Sequence, residues 1–120
     1  MKTTPLADYI IERLPEIWQR TGEHIFLAGV STTIAVIIGI PLGILAFYRP
    51  GLRVPLMGIV SIFQTIPSLA MLVIFLALFQ KIGVIPAILT LILYALLPIV
   101  RNTLTALQGI APEIIEAARG

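Results

Sequence analysis

Residues 25–47 read IFLAGVSTTIAVIIGIPLGILAF, 23 consecutive positions without a charged side chain. A helix of that length crosses the roughly 30 Å of bilayer hydrocarbon, and only a helix or a closed barrel can satisfy its backbone there. The stretch has no strict apolar/polar alternation, so it reads as a spanning helix. Two further apolar runs follow, at about residues 54–79 and 84–100. The third is short for a span, so its helix is expected to extend through Ile82 or past Arg101, which could then snorkel to the interface, giving spans of about 25–47, 54–79 and 82–104.

Composition agrees with this reading. Hydrophobic residues make up 58% and charged residues 12% of the 120, about half the charge of an ordinary soluble domain. A net charge of +2 with no basic cluster gives no footprint for nucleic acid. Cysteine is absent, which excludes disulfides, thiol catalysis and thiolate metal sites. His24 is the only histidine, no paired intramembrane carboxylate occurs, and no Gly-x-x-x-x-Gly-Lys-Ser/Thr phosphate loop is present. The chain therefore reads as a non-enzyme with no metal or cofactor of its own.

Residues 1–24 read as an amphipathic interfacial segment. Leu6, Tyr9, Ile10, Leu14 and Ile17 recur at helical spacing, with Asp8, Glu12, Arg13 and Glu16 elsewhere on the wheel. Pro15 is expected to divide it into two short helices, and Trp18 suits the headgroup level. The mixed charges before the first apolar run differ from a cleaved signal sequence, so this segment is expected to be retained.

The connections are short: Tyr48-Arg49-Pro50-Gly51-Leu52-Arg53 and Gln80-Lys81-Ile82-Gly83. Arg49 and Arg53 favour the cytoplasm for the first. That orientation puts the N-terminus outside and residues 109–120 inside.

Three groups of residues stand out. Ser31, Ala35, Gly39 and Gly43 form a stripe of small side chains at four-residue spacing, which lets another helix approach closely. Packing within the chain accounts for it, and a scaffold that associates through this stripe is the alternative. Pro41, between the two glycines, predicts a kink. Gln64, Thr65, Pro67 and Ser68 are the most polar part of any span, and they serve equally for a bent pathway helix or for interhelical hydrogen bonding. Finally, Pro112 and Glu113 suit the first turn of a short helix, whose apolar face would carry Ile110, Ile114, Ile115 and Ala118.

Glu116-Ala117-Ala118 after three spans resembles the start of the EAA loop of binding-protein-dependent ABC importer permeases. Gly29-Val30-Ser31-Thr32-Thr33, Gly39-Ile40-Pro41-Leu42-Gly43, Gln64-Thr65-Ile66-Pro67-Ser68 and the segment 112–120 extend that resemblance to the osmoprotectant branch, whose solutes include glycine betaine, carnitine and choline. The family pattern continues EAA-x3-G-x9-I-x-L-P, and only the triplet falls within this sequence. The resemblance implies an all-α membrane protein of the bacterial or archaeal cytoplasmic membrane, here the N-terminal part of a permease. It implies a second permease subunit, identical or not, and a cytoplasmic ATPase docking at Glu116, Ala117 and Ala118. It also implies an extracytoplasmic substrate-binding protein or fused domain.

Overall fold

The computed structural model describes residues 4–120; the sequence reading of residues 1–3 as part of the amphipathic segment lies outside the described residues. All regular structure among them is helical: α1 (Pro5–Glu12), α2 (Leu14–Tyr48), α3 (Pro50–Thr65), α4 (Ser68–Phe79), α5 (Val84–Gln108) and α6 (Pro112–Arg119). Two of these, α2 and α5, are long and apolar enough to cross a membrane, and α3 with α4 makes a third crossing if the bent pair counts as one.

The chain breaks at Arg13, as Pro15 at the start of α2 requires, and the Thr4 hydroxyl caps α1 by accepting from the Ala7 amide at 3.3 Å. The boundary expected near residue 24 is absent. From Leu14 the helix runs unbroken for 35 residues, about 52 Å, because nothing between Thr21 and Ile25 stops it. A span of 25–47 is thus part of a longer rod that overhangs the hydrocarbon by roughly 20 Å. Likewise α5 is Val84–Gln108 rather than 82–104: Gly83 stands outside its first turn, and no glycine or proline falls between residue 104 and Gly109.

The α2–α5 pair is the spine. Ser31, Ala35, Gly39, Gly43 and Ala46 are the buried residues of α2. On α5 the buried set is Pro86, Thr90, Ile92, Leu97, Val100 and Leu104. A Cβ built on Gly39 would lie 2.6 Å from the Cγ2 of Ile99, and one on Gly43 would lie 2.6 Å from the Cβ of Thr103 and 3.0 Å from the Val100 carbonyl. The small stripe is therefore the seat of α5, and the face through which a scaffold would self-associate is occupied within the chain. Pro41 stays inside a continuous α2.

Other prolines are also tolerated, Pro55 in α3 and Pro98 in α5. Pro67 is different. Ile66 is extended (φ −70°, ψ 129°), the conformation favoured before proline, and Pro67 itself lies at φ −55°, ψ 137°. Two extended residues in succession turn α4 by 91° from α3. With 16 residues, α3 rises only about 24 Å, short of the hydrocarbon thickness, before α4 turns aside. α4 closes through Gln80, which takes the left-handed conformation (φ 52°) in place of the usual glycine.

The structure measures 70 × 38 × 20 Å. Its smallest dimension holds about two helix diameters, so no helix is enclosed on all sides. Large apolar side chains such as Ile37, Ile59, Ile62, Val73 and Leu78 are exposed. In water such a surface would drive aggregation, whereas lipid or further helices would cover it.

Candidate pathway cavity and terminal helix

The first connection brings Arg53 back onto the end of α2. Its Nε donates to the Ala46 carbonyl at 3.1 Å and its Nη2 to the Phe47 carbonyl at 3.2 Å. These carbonyls lack helical partners and form the negative end of the helix dipole. A cation that could have served only as a topological signal thus closes the helix. Arg49 is exposed at the same turn.

At the far end of the spine, α2, α4 and α5 line an open cavity of about 540 Å³, with Ser68 and Leu69 exposed. Its wall includes Leu27, Ala28, Ser31 and Thr32 from α2, Ser68, Leu69 and Leu72 from α4, and Ala87, Thr90 and Leu91 from α5. The 91° turn creates it: a straight α3–α4 would carry Ser68 and Leu69 away from α5. Of the four polar-run residues, Ser68 lines the cavity. Gln64, Thr65 and Pro67 are exposed at the break, and the Thr65 hydroxyl donates to the Ser61 carbonyl at 2.8 Å.

Several threonines satisfy their hydroxyls within their own helix. Thr33 donates to the Gly29 carbonyl, Thr90 to Pro86 and Thr103 to Ile99, each at 2.7–2.8 Å. Ser31 does not. It is 2% exposed and its Oγ has no hydrogen-bond partner, an arrangement that costs on the order of 1–3 kcal/mol. Tyr94 on α5 holds a second buried hydroxyl without a partner. Neither could be found from sequence, because hydroxyls in apolar helices look alike until the neighbouring carbonyls are placed.

Near the Arg53 end, Gly109 closes α5 by donating to the Thr105 carbonyl at 3.0 Å, and Ile110 and Ala111 lead into α6. Pro112 begins α6, Glu113 lies in its first turn and Arg119 in its last, matching the dipole at both ends. The expected apolar face is divided. Ile115 turns inward with Pro112, Glu116 and Arg119 onto a groove of about 490 Å³ walled by Phe47, Leu107 and Ile110. Ile114, 63% exposed, shares the outward side with Glu113, Ala117 and Ala118. The reason is helix geometry: at 3.6 residues per turn, neighbouring side chains point about 100° apart.

The chain is 39% identical over 116 residues to the osmoprotectant import permease protein OsmW of Salmonella typhimurium, an alignment covering 93% of this chain and 54% of that protein. It is 35% identical to the glycine betaine/carnitine/choline transport system permease protein OpuCB of Bacillus subtilis, over 88% of this chain and 48% of the other. A third relative, the choline transport system permease protein OpuBB of Bacillus subtilis, is 36% identical with the same coverage. The chain thus spans about half the length of these curated relatives. No solved structure matches it. The family described as binding-protein-dependent transport system inner membrane component matches residues 25–120, from within α2 through the whole of α6, and the chain belongs to that family.

Proposed function

We propose that this chain is the N-terminal part of the permease subunit of an ABC importer for small osmoprotectants such as glycine betaine, carnitine or choline. The solutes of the relatives support the solute class. In this reading α2, the α3–α4 pair and α5 cross the cytoplasmic membrane of a bacterium or archaeon three times. Thr4 to Glu12 rests at the outer interface, and α6 lies inside. ATP is hydrolysed on a separate subunit, a second permease subunit completes the pathway, and a binding protein or fused domain delivers solute from outside.

The observation that carries the reading is the position of α6. It stands as a separate helix at the same end as Arg49 and Arg53, presenting Glu113, Ile114, Ala117 and Ala118 outward. Two adjacent alanines allow a partner surface to approach closely, and Ile114 supplies an apolar contact. Glu116 on the inner side would hold the helix against the spine and the alanines would meet the ATPase. Motion of the ATPase would then reach the spine through α6 and the end of α5, and the cavity between α2, α4 and α5 would open and close in turn.

The test is co-purification of the cognate ATPase with the full-length permease. Ala117→Arg should abolish co-purification and ATP-driven uptake while membrane insertion is retained. Co-purification at the wild-type level would refute docking at this face.

A further inference from the structure

The permease reading leaves open which part of a solute the cavity between α2, α4 and α5 would meet. We propose that it is a carboxylate subsite, taking the acidic end of a small zwitterion such as glycine betaine in preference to an alcohol such as choline. This rests on the permease reading and deepens it.

Two independent features converge there. One is the start of α4. Its first bonded amide is Met71, which donates to the Pro67 carbonyl at 3.0 Å. The N–H groups of Ser68 and Leu69 precede the helical ladder, no side chain caps them, and both residues line the cavity. They form the positive end of a 12-residue helix dipole, an arrangement suited to an anion. The other is Ser31, on the opposite wall, with a hydroxyl that is buried and has no partner. Thr33, two residues on, turns its hydroxyl to a carbonyl four residues back; Ser31 keeps its donor unused.

The rest of the wall fits the other end of such a solute poorly. It carries no carboxylate to pair with a quaternary ammonium and no Phe, Tyr or Trp ring to receive it; its one ring is the imidazole of His24, which is exposed. Leu27, Leu72 and Leu91 offer apolar surface to N-methyl groups without discriminating between solutes that share them. Selectivity at this point therefore comes from the donors. A carboxylate accepts from all three of them with a full charge, while the hydroxyl of choline is neutral and satisfies fewer.

The test uses the complete transporter in nanodiscs without its binding protein, with equilibrium binding of radiolabelled glycine betaine and radiolabelled choline. Wild type should favour glycine betaine at least tenfold. Ser31→Ala removes one donor with no added bulk. Ser68→Pro removes another, and proline is tolerated at a first helical position after a Pro67 already in the extended conformation. Each variant should narrow the ratio threefold or more. ATP-driven uptake by the wild-type assembly is measured alongside. Absence of uptake of every quaternary amine would overturn the permease reading and this site with it. Uptake accompanied by equal wild-type affinities, or by an unchanged ratio in both variants, would overturn the site alone.

Discussion

Replacing Gly43 by alanine should weaken the fold, while the same change at Gly29, fourteen residues earlier in the same helix, should strengthen it. Alanine is better than glycine in a helix interior by about 1 kcal/mol, and this gain is common to both sites. The surroundings differ. A Cβ at residue 29 meets nothing within 4 Å. A Cβ at residue 43 would lie 2.6 Å from Thr103 Cβ, 2.8 Å from Thr103 Cγ2 and 3.0 Å from the Val100 carbonyl oxygen. Carbon atoms in contact prefer about 3.5–4.0 Å, so α2 and α5 must part locally by roughly 1 Å. Thr103 has little freedom to yield, because its hydroxyl is bonded to the Ile99 carbonyl at 2.7 Å and its branch restricts χ1. Overpacking of this kind costs about 1–3 kcal/mol and outweighs the propensity gain. We expect Gly29→Ala to stabilise by up to about 1 kcal/mol and Gly43→Ala to destabilise by about 1–2 kcal/mol. The assay is reversible unfolding of the full-length permease in mixed micelles titrated with SDS, followed by far-ultraviolet circular dichroism. Equal stabilisation by the two substitutions would refute the close α2–α5 contact at Gly43.

Arg53→Met should cost about 1–3 kcal/mol in the same titration, since it leaves the Ala46 and Phe47 carbonyls without their charged donor; Arg49→Met, at an exposed position, should change stability by less than about 0.5 kcal/mol. Spin labels at Gly58 and Leu78 should report a separation of about 21 Å from the 91° turn rather than the roughly 30 Å of a straight helix, and Pro67→Ala should populate the longer distance. A distance near 30 Å in the unmodified protein would refute the break. Leu72→Trp, filling the cavity between α2, α4 and α5, should reduce ATP-driven uptake at least tenfold with ATPase co-purification intact; unchanged uptake would remove the cavity from the route.

The helical, membrane-length character of the chain was legible because lipid leaves the backbone so few choices. The run at 25–47 could be nothing else, and a stripe such as Ser31, Ala35, Gly39 and Gly43 announces a close neighbour. It does not announce which neighbour: that α5 fills it, with Ile99 and Thr103 at the two glycines, depends on a contact some sixty residues away. Boundaries were less legible. Polarity before residue 25 suggested a change of element, yet helices end at caps and breakers rather than at changes of polarity, and α2 begins at Leu14. The prolines illustrate the same limit. Pro41, Pro55 and Pro98 stay within helices while Pro67 marks a right-angled turn. Only Pro67 stands among Gln64, Thr65 and Ser68, whose polar groups can meet the backbone that a break exposes.

The arrangement also suggests why a turn as wide as 91° is compatible with a stiff structure. Rigidity resides in the α2–α5 seam, where glycines and alanines bring two long helices together with little side-chain freedom left to lose. α3 and α4 each add contacts to α5 without closing the layer, and α6 touches the spine at one end through a short Gly109-Ile110-Ala111 link. A displacement entering at α6 would therefore turn the spine as one body, since separating α2 from α5 means unseating Gly39 and Gly43. The compliant point left to absorb that rotation is the junction of Ile66 and Pro67, where two extended residues interrupt the helical ladder. It sits beside the cavity, so rotation of the spine against α4 changes the space between Ser31 and Ser68. On this argument, stiffening the junction and loosening the seam should both impair transport, the first by blocking the change at the cavity and the second by dissipating it before it arrives.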